Sequence, residues 1–325
     1  MFLCHMRLPA CTIAISMCAA WLSPGSAAME APLSRFEYSE AAMGVRARIV
    51  VYAQSESQAR KACRAAFGRI AELEQIMSDY RADSELMRLC SNAGGPAMTV
   101  SPELLWVLGI SRELARRSGG AFDPTVGPLV RLWRKARAAG VLPSEDELKR
   151  ARKLVGWQKL AIEPDTGRVR LKEPGMILDL GGIAKGYACD EALRVLHEHG
   201  IYIALVEMGG DIVVGDPPPG KQGWEIEIGN AGSINSQRIQ VANLAISSSG
   251  DTEQFVEIGG KRYSHIVDPS TGVGLTNRIA VTVAATYGII SDGLATAISV
   301  LDEKRGRTLA AAYGVKWLYI RHLEN

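Results

Sequence analysis

The stretch DLGGIAKGYACD, residues 179–190, collects groups that suit a phosphate. Asp179 sits near the end of an apolar run (MILDL), and Gly181 and Gly182 follow at once. Such a glycine pair lets a backbone approach a ligand closely and exposes its N–H and C=O groups. Lys185 then opens a predicted helix, where first-turn amides and an ammonium can both face an anion. An ordinary strand–turn–helix connection with a solvated lysine would use the same residues. GGIAKG lacks GxGxxG spacing, and its lysine is not followed by Ser or Thr, so it is neither a dinucleotide fingerprint nor a P-loop. HExxH and GxSxG are absent. His197 and His199, two apart on a predicted helix, point to different faces and are poor joint metal ligands.

Other polar residues stand out. Asp292 and Thr296 are four apart at the predicted start of a helix, hence on one face and about 5–6 Å apart at Cβ. A carboxylate and a hydroxyl are hard oxygen donors suited to Mg²⁺. A cation at a helix N-terminus opposes the macrodipole, so the pair makes better sense if a phosphate arrives with the metal. A capping Asp and a core Thr are the other reading. GGAFDPTVGPL at 119–129 packs glycines and prolines around Asp123 and Thr125 into a stiff loop, suited either to a flat ligand or to a plain turn. RYSHIVDPSTG at 262–272 places His265 between strand-like residues, with Asp268 three positions on. SSSGD at 247–251 reads as a polar turn.

The elements that must position these groups are legible from periodicity. Residues 44–53 read as a strand, and 56–77 as a helix with apolar residues at helical spacing. Ser101-Pro102 opens a second helix, the capping box Ser144/Glu147 a third, and Lys185 a fourth that ends at His199. From 201 onward short apolar runs (IYIALV, DIVV, WEIEI, NLAISSS, QFVEI, IAVTVAA) alternate with Gly, Pro and Asn, the pattern of antiparallel strands. Helices at 291–301 and 303–313 and a strand at 315–320 close the chain. Helices early and mostly antiparallel strands later predict an α+β fold, with one domain over 29–325.

A chain of 325 residues with 47% hydrophobic content can bury a large core, and a net charge of +2 gives no field that would favour nucleic acid. Residues 1–28 are predicted to be a signal peptide: Arg7, an apolar run at 12–22, Pro24-Gly25, and small residues at 26–28. Met17 before Cys18 is too bulky for lipoprotein cleavage, so export to the periplasm without a lipid anchor is expected. Cys63, Cys90 and Cys189 remain in the mature chain, an odd set without CxxC, and are expected to be buried thiols.

Taken together, Met43-Gly44, MSDYRADSELMRL (77–89), GGAFDPTVGPLVRLW (119–133), DLGGIAKGYACD (179–190), VEMGGDI (206–212), AISSSGD (245–251), RYSHIVDPSTG (262–272) and SDGLATA (291–297) resemble the ApbE family, the FAD:protein FMN transferases. The resemblance covers roughly residues 43–301. It implies that FAD binds through Met43, Tyr80, Ala121, Phe122, Asp123, Asp179, Lys185, His265 and Ile266. It further implies Mg²⁺ on the Gly182 carbonyl, Asp292 and Thr296. The implied reaction moves FMN from FAD to a Ser or Thr hydroxyl of a partner protein and releases AMP. Lys185, Asp292 and His265 would be its catalytic residues, with Asp268 or Asp251 orienting the histidine. Exported or membrane-bound flavoproteins, such as subunits of ion-pumping NADH:quinone or Rnf-type complexes, are the implied acceptors. Val45, Glu207 and Ser291 depart from common family residues. Two other functions use the same site: an FAD pyrophosphatase giving FMN and AMP, and a non-enzymatic exported flavin-binding protein, which would not need the Asp292/Thr296 pair.

Overall fold

Strands β1 (Ser34–Ala42) and β2 (Val45–Ala53) pair antiparallel from Ser34↔Ala53 to Ala42↔Val45, which leaves Met43-Gly44 as a two-residue turn. Both turn residues are left-handed, φ 48° and 74°, the backbone that matches strand twist in a tight hairpin. β1 has no apolar alternation strong enough to mark it in the sequence; it is an edge strand with mostly exposed side chains. The computed structural model describes residues 32–229, 237–250 and 255–322. The predicted signal peptide and Asp251 lie outside the described residues.

Helix α1 (Glu56–Met77) starts at Ser55, whose side chain accepts the Gln58 N–H, and buries Ala59, Cys63, Ala66, Phe67, Ile70, Leu73 and Met77. Then come α2 (Glu85–Ser91), β3 (Met98–Thr99), α3 (Pro102–Ser118), α4 (Gly127–Ala139), α5 (Glu145–Arg152), β4 (Leu160–Glu163) and β5 (Arg168–Leu171). Ser101 caps α3, and Ser144 with Glu147 forms the predicted capping box of α5. The stiff loop read at 119–129 is shorter than expected. Helix α4 begins at Gly127 with Pro128 in its first turn, where a missing N–H costs nothing.

Next are α6 (Ala184–Glu198), β6 (Ala204–Met208), β7 (Asp211–Val214), β8 (Trp224–Ile228), β9 (Gln237–Val241), β10 (Leu244–Gly250), β11 (Phe255–Ile258), β12 (Lys261–Ser264), β13 (Ile279–Ala285), α7 (Gly288–Val300), α8 (Glu303–Ala312) and β14 (Trp317–His322). The main sheet runs β1-β2-β6-β7-β10-β13-β14, and its pairings are all antiparallel. The α+β expectation therefore stands, with one correction. Ser247–Gly250, read as a polar turn, continue β10. Their small hydroxyls are used across elements: Ser248 Oγ pairs with Thr282 Oγ1 at 2.9 Å and Ser247 Oγ with Ser291 Oγ at 2.8 Å.

One face of the sheet carries α6 with α1 and α7 as neighbours, and the principal core fills between them. The β8–β9 hairpin covers part of the other face, packing Trp224 and Ile226 on Val50, Leu205 and Ile246. A third apolar cluster joins α4 and α5 to β11–β12 through Leu129, Trp133, Leu148 and Tyr263. Where α6 meets α7 the backbones touch: a Cβ on Gly186 would lie 2.1 Å from the Gly288 carbonyl oxygen. Cys63, Cys90 and Cys189 are buried free thiols, as expected.

Candidate active site

The glycine contact between α6 and α7 brings the DLGGIAKG segment against the residues of α7. Asp292 is only 2% exposed, and a buried carboxylate must find partners. Its Oδ2 accepts the Gly186 N–H at 3.0 Å and faces the Lys185 ammonium at 3.5 Å. Lys185 Nζ lies 2.7 Å from Asp211 Oδ2 and donates to the Gly181 carbonyl at 3.4 Å. Asp211 follows the Gly209-Gly210 turn between β6 and β7 and completes this cluster; GGD after an apolar strand was its only mark in the sequence. Burial works against the Lys185 ammonium, but Asp211 and then Asp292 more than offset it and raise its pKa. Burial, followed by the Asp211 charge, pushes Asp292 up to about 7.

The Asp292/Thr296 pair sits differently from the sequence expectation. Helix α7 begins at Gly288, so Asp292 lies in the second turn and Thr296 mid-helix. The helix N-terminus is satisfied elsewhere: Asp190 of α6 accepts the Gly288 and Ile289 N–H groups at 2.7 and 3.0 Å. That cap spans about a hundred positions of sequence and has no local signature. Gly182 lies against Thr296, for a Cβ there would sit 2.8 Å from Thr296 Oγ1. No three His, Cys, Asp or Glu side chains converge as a metal cluster among the described residues. Beside Lys185 and Asp211, Asp292, Thr296 and Gly182 bring a carboxylate, a hydroxyl and a glycine backbone into neighbouring positions. Donors of these kinds suit a hard cation that keeps water or phosphate ligands.

Asp179 connects this cluster to a second one. Its Oδ1 accepts the Gly181 N–H at 2.8 Å, and its Oδ2 lies 3.2 Å from an Arg134 nitrogen. Arg134 also pairs with Asp79 and lies over the Tyr80 ring, 4.2 Å from its centroid. Burial and then the Asp79 charge raise the Asp179 pKa against the pull of Arg134. Sequence reasoning missed Arg134 and Asp79, because an arginine on an amphipathic helix and an acid in a polar loop look solvated.

The Asp179 N–H donates to the Pro124 carbonyl at 2.9 Å, which ties the 121–126 loop to the site. Asp123 is buried, and its carboxylate is committed within the protein: Oδ1 accepts from Thr125 N–H and Oγ1, and Oδ2 from the Trp157 N–H. Asp123 therefore shapes the loop that presents Ala121 and the buried Phe122. Met43, a left-handed non-glycine residue, sits at a hairpin tip whose next residue, Val45, abuts Gly209 beside Asp211. His265 is exposed just past β12. The residue before it, Ser264, is anchored by Trp133 of α4 through a 3.1 Å bond to its carbonyl, and its hydroxyl accepts the Ile266 N–H. Asp268 Oδ1 is taken by Ser270 N–H and Oγ. Of the departures, Glu207 is paired across the sheet with Arg48 at 2.7 Å, and Ser291 with Ser247.

Burial raises the Asp190 carboxyl to about 6. Between pH 4 and 6 the unfolded chain has released this proton while the folded chain retains it. The folded state then binds more protons, and this contribution to stability falls as pH rises through that window. Asp190→Asn is expected to flatten that slope. It should also cost about 1–3 kcal/mol at pH 7, since one amide oxygen replaces two acceptors. Thermal melts from pH 4 to 7 check both.

The site lies at one end of a seven-stranded antiparallel sheet, where α6, α7 and the β6–β7 turn meet, and it defines an α+β protein with a half-buried lysine held by two buried carboxylates. The ApbE family profile matches residues 43–319, and the chain belongs to the ApbE family. An FAD:protein FMN transferase of Vibrio cholerae is 36% identical over 258 residues, 77% of this chain and 76% of that protein. One from Treponema pallidum is 30% identical over 315 residues, 91% of this chain and 87% of its own length. Among solved structures, the flavin transferase ApbE from Vibrio cholerae superposes with a TM-score of 0.77 at 33% identity, covering 87% of this chain and 92% of that one. The apo flavinyl transferase ApbE of Pseudomonas stutzeri gives 0.80 at 27% identity over 90% and 93%.

Proposed function

We propose that this protein transfers the FMN half of FAD to a Ser or Thr hydroxyl of an exported partner protein, in an Mg²⁺-dependent reaction that forms a phosphoester and releases AMP. The observation that carries the reading is the cluster of half-buried Lys185, Gly182 and Thr296 around the buried Asp292, beside the contact of α6 with α7, in a chain whose relatives are named FAD:protein FMN transferases. The acceptor oxygen attacks the FMN phosphorus. The bond from that phosphorus to the bridging oxygen breaks, and AMP leaves with that oxygen. The Gly182 carbonyl, Asp292 and Thr296 would hold Mg²⁺, which when bound offsets charge on the pyrophosphate. Lys185, on the same segment as Gly182 and held by Asp211 and Asp292 from β7 and α7, offers its ammonium to the phosphate oxygens. Tyr80, Met43, Ile266 and the Ala121–Asp123 loop border the flavin nucleotide, and His265 accepts the proton of the attacking hydroxyl. The N-terminal segment directs the enzyme to the periplasm, where the flavin subunits of ion-pumping membrane complexes are suitable acceptors.

His265→Ala is expected to lower transfer about 10²- to 10⁴-fold while FAD binding persists. Near-normal transfer across pH 6–8 would remove histidine as the base. Because the Asp292 carboxyl is raised to about 7, a metal must displace its proton below that pH. Apparent Mg²⁺ affinity should therefore fall as pH drops from 7, toward tenfold per unit, and Mg²⁺ titrations at pH 5.5–8 measure it. The reading itself is tested by incubating the mature protein with FAD, Mg²⁺ and a candidate acceptor domain, then denaturing. Flavin fluorescence that stays with the acceptor band supports transfer. Free FMN alone indicates hydrolysis, and unchanged FAD a binding protein.

A further inference from the structure

Arg134 has no role in the steps described above, although it lies over Tyr80, a residue that borders the flavin nucleotide. Tyr80 is 78% exposed, an unusual position for a large aromatic ring. One face is covered by the Arg134 guanidinium, 4.2 Å from the centroid. That guanidinium is itself fixed on two sides, by Asp79 through one nitrogen and by Asp179 through the other. Asp179 in turn binds the Gly181 amide at the start of the phosphate segment. A planar fork can make two ion pairs along its edges and lie flat on a ring at once; an ammonium cannot.

We propose that Arg134 is a positioning residue that fixes the Tyr80 ring with its outer face open, so that a planar aromatic ligand stacks on a preset platform. The proposal rests on the flavin-transfer reading and adds to it the flavin ring as the part of the substrate that Arg134 serves. An exposed tyrosine left to itself samples several rotamers and loses that freedom on binding. Arg134 removes the loss beforehand. Because the same arginine pairs with Asp79 and Asp179, it also links ring placement to the carboxylate beside the phosphate segment.

The test is a double-mutant cycle read by flavin fluorescence and by competition. Arg134→Ala should weaken binding of FAD and of FMN about tenfold, leave AMP binding unchanged, and keep kcat at saturating FAD within about threefold. Arg134→Lys should give the same loss, since charge without the planar fork does not hold the ring. In a Tyr80→Leu background, Arg134→Ala should have no further effect on FMN binding. Additive losses in that cycle, full rescue by lysine, or equal weakening of AMP would overturn the proposal and leave Arg134 a general charge. If Arg134→Ala fails to fold, Asp79→Asn loosens the clamp from the other side. It should weaken FMN binding only when Tyr80 is present, and no change would overturn the proposal. Wild-type protein that binds FAD but transfers no FMN would refute the transfer reading while the cycle still decides the role of Arg134. Wild-type transfer with an additive cycle would refute this inference alone.

Discussion

Asp292→Ala is expected to abolish Mg²⁺-dependent transfer, with kcat at least about 10³-fold lower. The substitution removes the only carboxylate of the proposed metal set. It also leaves the Gly186 N–H without the acceptor it has at 3.0 Å, a cost of about 1–3 kcal/mol to stability. Lys185 keeps Asp211 at 2.7 Å, so the lysine is not orphaned and the fold should survive. The loss should persist at high Mg²⁺. Steady-state assays on chelator-treated enzyme across an Mg²⁺ titration measure it, with circular dichroism confirming the fold. Activity equal to wild type along that titration would remove Asp292 from the metal site.

Gly186→Ala is expected to be the most damaging small change to the fold. The added Cβ would lie 2.1 Å from the Gly288 carbonyl oxygen, 2.5 Å from its carbon and 2.7 Å from Asp292 Cβ. Two of these are backbone atoms and cannot rotate away, so α6 and α7 would have to separate. The core between the helices and the Lys185–Asp292 contact would open with them. A loss above about 3 kcal/mol follows from overpacking of this severity. The contrast is Gly68→Ala, inside α1 with open space around it, which should stabilise by about 0.5–1 kcal/mol through helix propensity alone. Chemical denaturation of both variants measures the difference; a Gly186→Ala variant as stable as wild type would mean that the two backbones are not in contact.

What could be read in the sequence was what is encoded locally. The buried stripe of α1, the Ser144/Glu147 capping box and the strand texture after 201 all depend on residues within a turn or two, and they appear in the structure near their expected bounds. The start of α7 was misplaced because its cap, Asp190, comes from another helix. Ser247–Gly250 looked like a turn because small polar residues usually make one. Here their hydroxyls find partners on β13 and α7, which lets them stay in a strand. The site shows the same division. Asp179, Lys185 and Asp292 stood in recognisable segments, whereas Asp211 and Arg134 gain their meaning only from the side chains that tertiary packing sets beside them. Lys185 was expected to face a phosphate; in the structure two buried carboxylates, Asp211 and Asp292, hold its ammonium in place.

Transfer and hydrolysis differ in the stoichiometry of their products. AMP release and acceptor mass should be followed together, with FAD, Mg²⁺ and an acceptor domain, against the same domain with its target Ser or Thr changed to Ala. Transfer yields one AMP for each FMN gained by the acceptor, and neither product with the changed domain. AMP and free FMN formed at the same rate whether or not the acceptor hydroxyl is present would contradict it.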